Sequence, residues 1–426
     1  MNVLLVVLDS VRAASCSLYG YPRRTTPTLD SLAEGATVYR AARAPSNWSL
    51  PAHVSLFTGL EAEAHGVTVH DRLEPGHTVW DDLSGAGYAT GLFTENGFVA
   101  THAVGLFEPF DTVVSVPGTA PAAYRSGEHT DRPDGFYYAD KLCEWADGRD
   151  RWAACLNLMD AHRPYDPAPE YDRWGDPQAH QLQSELPVRW EFDVHGGAHP
   201  TWQLAGLESL YEGGVRQADA VLGSVLERLG QRGALEETLL VVCGDHGEGF
   251  GEPGRLDGEP PAVAHIVPMS ESLLHVPLVV KHPGQRTGRT VEAPAALTGF
   301  REVVDAARRG ERTSFARETV VASKQPVTGD LRERYAEAVD DATPFFKPSR
   351  AVYEAAETGV HKSYTWGGAA GTVHVPYAGA VGGVSATDGH RVDRAFDSVT
   401  DAQVRRPGDD AADAGARDRL EALGYF

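Results

Sequence analysis

A chain of 426 residues with 42% hydrophobic content has room for about three ordinary domains, or for one large α/β domain and a smaller one. It is too apolar to be disordered and too long and cysteine-poor to be a disulfide-stapled miniprotein. Sixty acidic against 38 basic residues give a formal charge of −22, which argues against broad binding to nucleic acid or an anionic membrane, since either needs a basic face.

The basic residues are 33 Arg and 5 Lys. Such an acidic, Lys-poor composition fits a halophilic protein of a high-salt cytoplasm, where self-repulsion is screened. The alternative is an acidic mesophilic protein from a GC-rich genome. Cys16, Cys143, Cys155 and Cys243 form no CxxC pair, so buried reduced thiols are expected rather than a zinc or redox motif.

In chain order, Val3 to Leu8 is a short, continuous apolar run, the pattern of a strand buried on both faces. No basic region or cleavage site precedes it, and the run is too short to span a bilayer. A soluble, cytoplasmic chain without a membrane span is expected. The strand ends in Asp9-Ser10-Val11-Arg12. Thr26 to Gly35 reads as a helix, with Thr26 as N-cap and Pro27 in its first turn. Pro45 to Gly59 places Ser49 ahead of an apolar helical stretch.

Residues 110–135 and 164–202, rich in Pro, Gly and aromatic or polar residues, read as long excursions, on either side of a strand at Ala153 to Met159. The aromatic side chains of the second excursion would cover the core or stack on a substrate ring. Leu207 to Leu229 repeats apolar residues at helical spacing and stops at Gly230. Thr238 to Cys243 is a second buried strand, followed by Gly244-Asp245-His246-Gly247-Glu248. Val276 to Val280 is a further strand, placed nearer an edge by Pro277.

Strands alternating with helices predict a large mixed, mostly parallel sheet sandwiched by helices. Short strand-like pieces around Ala351, His361 to Trp366 and Thr372 to Val375 predict a small antiparallel C-terminal subdomain. The boundary falls at 340, giving a catalytic domain over 1–340 and a subdomain over 341–426. The chain closes on an apolar stretch, Leu420 to Phe426.

Ligands of parallel α/β sheets bind beyond the carboxyl ends of the strands. Asp9 and Asp245-His246 stand there, and two carboxylates with an imidazole suit a divalent cation. Glycines on both sides of Asp245-His246 permit close backbone approach. Alternatively, Asp9 caps a helix and Asp245 to Glu248 is a polar turn. Ser49 either binds an anion at a helix N-terminus or merely caps that helix; spacing alone favours the cap.

Four blocks in this order resemble the sulfatase family of the alkaline phosphatase superfamily. They are Leu4 to Arg12 with Thr26-Pro27-Thr28-Leu29-Asp30, the Ser49 block through Leu56-Phe57-Thr58-Gly59, Asp160-Ala161-His162-Arg163-Pro164-Tyr165, and Gly244 to Glu248. Tyr211 to Gly223 and Leu420 to Tyr425 add to the likeness. The resemblance implies an alkaline-phosphatase-like fold. It also implies a metal held by Asp9, Asp245 and His246 and touched by Ser49, with Ser49 in the nucleophile position. His162 and His265 would face the ester, and one of them would protonate the leaving oxygen. His275 is assigned to packing.

The chain departs from the family at several positions. The family's C/S-x-P-x-R motif reads Ser49-Leu50-Pro51-Ala52-His53, so conversion of Ser49 to formylglycine is not expected. A second acidic ligand is replaced by Ser10 and a frequent Asn ligand by His246. This poorer oxygen set favours Mn²⁺, Zn²⁺ or Mg²⁺, with Ca²⁺ still open. One metal is the default; Asp160, His162 and His265 are candidates for a second. The expected activity is hydrolysis of a small-molecule sulfuric ester. A phosphodiesterase, phosphatase or phosphoglycerol-type transferase using unmodified Ser49 is the alternative, and a non-catalytic metal-binding protein of the same fold is the third reading.

Overall fold

The computed structural model describes residues 1–100, 104–115, 134–325, 327, 329–377 and 381–408. Most of the 110–135 excursion and the closing Leu420 to Phe426 stretch lie outside the described residues.

An eight-stranded sheet forms the centre. From one edge its strands run Arg289–Ala296, Thr37–Arg43, Leu278–Lys281, Thr238–Cys243, Asn2–Leu8, Trp152–Leu158, Ala89–Thr94 and Thr112–Val114. All neighbours pair in parallel except Leu278–Lys281, which is antiparallel to both of its own. Val3 faces Ala153 on one side and Leu239 on the other. Because side chains alternate along a strand, Val3, Leu5 and Val7 enter one core layer while Leu4, Val6 and Leu8 enter the other. That two-sided burial explains the unbroken apolar run.

The Val276 to Val280 expectation needs correcting. The strand is Leu278–Lys281 and lies inside the sheet. Pro277 precedes it, so its missing N–H removes no ladder bond. In the helix Pro27–Leu32, Thr26 stands at the N-cap position as expected, with Pro27 in the first turn, but its side chain makes no capping bond. Asp219, far along the chain, instead accepts from the Thr28 and Leu29 N–H groups at 2.7 and 3.0 Å. The long helix is Leu204–Gln231. In the 164–202 excursion Tyr165 and Trp190 are core residues, whereas Trp202 is 74% exposed. All four cysteines are free and buried. Among the described residues no helix is long and apolar enough to cross a membrane.

A second, antiparallel sheet takes Thr319–Lys324, Ser349–Ala356, Gly359–Trp366, Ala369–Pro376 and Ser385–Ala386 in that order. Its first strand comes from before residue 340. The sheets meet over a buried polar cluster. Glu271 pairs with Arg43 at 2.9 Å and Lys362 at 3.2 Å and accepts from Tyr353 Oη at 2.7 Å. Burial alone would raise the Glu271 pKa, but Arg43 and Lys362 outweigh it and hold it at about 2.

The folded pKa is thus below the ordinary Glu value near 4.3. The associated stability is fully present above about pH 4.3 and is lost as pH falls toward 2. Glu271→Ala strands two buried cations, so a loss of about 3–5 kcal/mol in urea unfolding is expected, with a flatter acid limb. A change below 1 kcal/mol would show that the cluster does not hold the sheets together.

Candidate active site

The site lies beyond the carboxyl ends of the central parallel strands. Asp9 follows Asn2–Leu8, and Asp245-His246 follow Thr238–Cys243. Those strands are neighbours, so residues more than 200 positions apart converge. Asp9, Asp245 and His246 are buried, with one ligand atom from each lying within 4.8 Å of the others. The flanking glycines serve close approach. A Cβ at Gly244 would collide with the Val11 carbonyl, and one at Gly247 with that of Ser272. Ser10 adopts φ 61°, an uncommon conformation for a residue with a side chain, and its N–H binds Asp245 Oδ1 at 3.2 Å.

Both carboxylates are anchored by neighbouring donors, Asp9 Oδ1 by Ser10 Oγ at 3.2 Å. Asp9 Oδ2 accepts from Asn96 Nδ2 at 2.8 Å and Asn157 Nδ2 at 3.3 Å. Asp245 Oδ1 accepts from the Ser10 and His246 N–H groups, whereas its buried Oδ2 has no hydrogen-bond partner. His246 Nδ1–H donates to Gly247 O at 2.8 Å, which leaves the lone pair on Nε2. Nε2 sits 3.4 Å from Asp245 Oδ2 and 3.7 Å from Asp9 Oδ1. An orphaned carboxylate oxygen and an imidazole lone pair facing one another are what a divalent cation satisfies, so these residues fit the metal that the fold implies. Burial opposes a charge on His246, but Asp245 and Asp9 reverse that and raise its pKa.

Ser49 is the first residue of the Ser49–Thr58 helix, whose N-cap is Trp48. Its side chain therefore does not cap the helix. Ser49 Oγ lies 3.1 Å from His246 Nε2, where free helix N–H groups favour negative charge. His53, one turn on, donates from Nδ1 to Ser49 O at 2.9 Å, with Asp245 Oδ2 at 3.5 Å. The preceding loop is braced. Asn47 Nδ2 donates to Ile266 O at 2.8 Å, and Ser46 Oγ to Ser323 O at 2.9 Å on the second sheet.

Two further histidines close the cluster. The His265 ring lies 4.6 Å from that of His246 and 5.2 Å from that of His162. Burial is the main force holding both neutral, with His162 down to about 3 and His265 well below the ordinary value. The structure thus brings Asp9, Ser49, His162, Asp245, His246 and His265 together. Among the described residues, Asp160, His162 and His265 do not form a second cluster with metal-ligand spacing; Asp160 accepts from Gln217 at 2.7 Å. His275 packs edge-on against Tyr19 and bonds Arg40 O at 2.9 Å.

The sequence reading missed Asn96, Asn157 and the ion pairs Arg163–Glu191 and Arg189–Glu191, both at 2.6 Å and both buried. Asn157 carried a signal, being a lone amide inside an apolar strand.

This architecture places the chain in the alkaline-phosphatase-like α/β class. Within that class the chain belongs to the sulfatase family, whose family profile, described as Sulfatase, matches residues 1–304. An ulvan-active sulfatase of Formosa agariphila is 23% identical over 318 residues, covering 69% of this chain and 58% of that protein. The low-salt glycan biosynthesis sulfotransferase Agl7 of Haloferax volcanii is 32% identical over 90 residues, 21% of this chain and 22% of its own. The chain therefore aligns with little more than half the length of the first of these curated relatives and under a quarter of the second. The phosphonate monoester hydrolase of Silicibacter pomeroyi shares the fold, with a TM-score of 0.66 over 95% of this chain and 99% of that one at 17% identity.

Proposed function

We propose that the protein is a metal-dependent hydrolase of small-molecule sulfuric esters that works through a covalent ester on Ser49. The observation that carries this reading is Ser49 Oγ standing 3.1 Å from His246 Nε2, at a helix N-terminus and in the cluster that holds the orphaned Asp245 Oδ2. One divalent ion bound by Asp9, Asp245 and His246 and touched by Ser49 would stabilise the serine alkoxide and neutralise an ester oxygen. The donor set favours Mn²⁺, Zn²⁺ or Mg²⁺ over Ca²⁺.

Asn96 and Asn157 fix Asp9 by holding Oδ2. Ser10 N–H and His246 N–H fix Asp245. His53 holds the Ser49 carbonyl, so the serine presents its hydroxyl for in-line attack on the central atom. His162 and His265 flank the departing side, where one hands its proton to the leaving oxygen. Burial keeps both neutral in the free protein, so that donor needs an anionic ester beside it to become protonated.

Charge selects the ester class. A bound dication would balance Asp9 and Asp245, the two flanking histidines are neutral, Arg163 and Arg189 share Glu191, and the Glu248 carboxylate offsets the remaining positive charge. A sulfuric monoester adds one negative charge to this balanced pocket, whereas a phosphoric monoester adds nearly two. Phosphoric diesters also carry one charge. His53 in the motif's arginine position supports an unmodified serine, which makes phosphodiester cleavage or transfer the second reading.

The test is a panel of aryl sulfate, aryl phosphate and bis-aryl phosphate on protein loaded with each metal in turn, with the mass of the Ser49 peptide. The expected result is an unmodified serine and a kcat/KM on aryl sulfate at least about tenfold above that on aryl phosphate. Faster turnover of the diester would replace the first reading with the second. No turnover of any ester would favour a metal-binding protein without catalysis.

A further inference from the structure

His265 has an environment that the chemistry assigned so far leaves unexplained. Its ring is fully buried, and its Nδ1 lies 3.1 Å from both carboxylate oxygens of Glu248. With Glu248 ionised, Nδ1 is the donor in that arrangement, because a carboxylate then only accepts. The other ring nitrogen, Nε2, is buried without a hydrogen-bond partner. Glu248 is itself fully buried, on the short segment between His246 and the Gly249–Glu252 strand. His265 directly follows Ala262–Ala264, the partner of that strand. The two-stranded ribbon therefore sets the spacing of the pair.

Arg12, anchored behind the metal loop, donates to Glu248 O at 3.0 Å and pairs with Glu208 and with Glu252, the latter at 2.6 Å. The Glu248 backbone is thus tied to the segment that carries Asp9. The His265 ring packs 4.6 Å from that of His246, which Ser49 Oγ touches, and a base oriented by a buried carboxylate is the geometry that activates a hydroxyl.

We propose that Glu248 is a positioning residue that fixes the His265 tautomer, so that His265 Nε2 accepts the proton of the water that clears the Ser49 ester. This inference rests on the covalent reading given above and extends it to the second half-reaction. In that step the water oxygen bonds to the central sulfur or phosphorus, and the bond from that atom to Ser49 Oγ breaks. One water proton moves to His265 Nε2 and passes on to the departing Ser49 oxygen. The serine is regenerated and inorganic sulfate leaves, or the phosphate monoester when the substrate is a diester, with no oxidant or further reactant. With His162 as the donor to the leaving oxygen, the first half-reaction does not use the Glu248–His265 pair, so the two halves should separate.

The experiment uses full-length, metal-loaded protein with 4-nitrophenyl sulfate and bis(4-nitrophenyl) phosphate. Glu248→Gln and His265→Gln are expected to keep the first-turnover burst of nitrophenol while steady-state kcat falls about 10²-fold. Intact-mass spectra should show a sulfuryl or phosphoryl group accumulating on the Ser49 peptide, and KM should fall with kcat. ¹⁵N NMR of the histidine rings in the metal-free protein is expected to show His265 protonated at Nδ1 and not at Nε2, and Glu248→Gln to disturb that state. Should Glu248→Gln fail to fold, His265→Gln and the NMR of the unmodified chain still decide.

Equal loss of burst and steady state without an accumulating ester overturns the proposal, as does a proton found on Nε2. An unmodified protein that turns over ester without any burst or ester on Ser49 instead defeats the covalent reading.

Discussion

Replacing Ser49 with alanine will lower kcat by about 10³-fold or more and leave the fold almost untouched. Ser49 Oγ is buried, and the hydrogen bond it makes is the one to His246 Nε2. Its loss removes one neutral hydrogen bond, worth about 1 kcal/mol, and a very small volume. The helix does not need the hydroxyl, because Ser49 is its first residue rather than its cap, and His53 holds the Ser49 carbonyl in either case. The expected pattern is thus a catalytic collapse with a melting temperature within a few degrees of the parent. Alanine turning over aryl sulfate at the parent rate would remove Ser49 from the chemistry. Unfolding of the variant would contradict the packing described for the helix.

The second large effect is expected from Asp245→Asn. The carboxamide keeps an oxygen at Oδ1 for the Ser10 and His246 N–H groups, so the loop retains its anchor. At Oδ2, the orphaned oxygen becomes an amide group with no charge to offer a cation. Metal content at micromolar free Mn²⁺ or Zn²⁺ should fall to near zero, and turnover by about 10³-fold or more. The thermal behaviour separates this account from a folding defect.

A metal that binds only the folded state stabilises the parent in proportion to the logarithm of its concentration. Chelation should therefore lower the melting temperature of the parent and leave that of Asp245→Asn unchanged. If both proteins respond equally to chelator, the ion sits elsewhere. The neighbouring change Asn96→Ala should act more weakly, by about 10–100-fold in metal affinity, since it removes one of the two amides that hold Asp9 Oδ2 without removing a ligand.

Much of this site is readable from residue order because its ligands stand at strand ends. An apolar run followed by Asp9, and another followed by Asp245-His246, expose both the strands and the groups beyond them. Ser49 is harder. Its position before Pro51 looks like a cap, and the family likeness rather than spacing gave it chemistry. Asn96 follows Ala89–Thr94, a strand interrupted by Gly91 and too weakly patterned to stand out. Its bond to Asp9 exists because Ala89–Thr94 and Asn2–Leu8 both flank Trp152–Leu158, an order that depends on the whole sheet. Asp219, rather than the hydroxyl of the N-cap residue Thr26, accepts from the first turn of Pro27–Leu32 for a similar reason, since a distant carboxylate on a packed helix competes with a local hydroxyl. Pro277 points to an edge only if it lies within the ladder, and a shift of one residue puts it outside. Thr319–Lys324 joins the small sheet by pairing with Ser349–Ala356 across an intervening helical segment, a long-range contact that local pattern does not encode.

The most direct measurement is an anomalous-scattering map from crystals of the Mn²⁺-loaded protein. One peak is expected, at about 2.0–2.3 Å from an oxygen of Asp9, an oxygen of Asp245 and Nε2 of His246, with Ser49 Oγ at its open side. A peak away from these side chains, or a fully loaded crystal with none between them, would contradict the account.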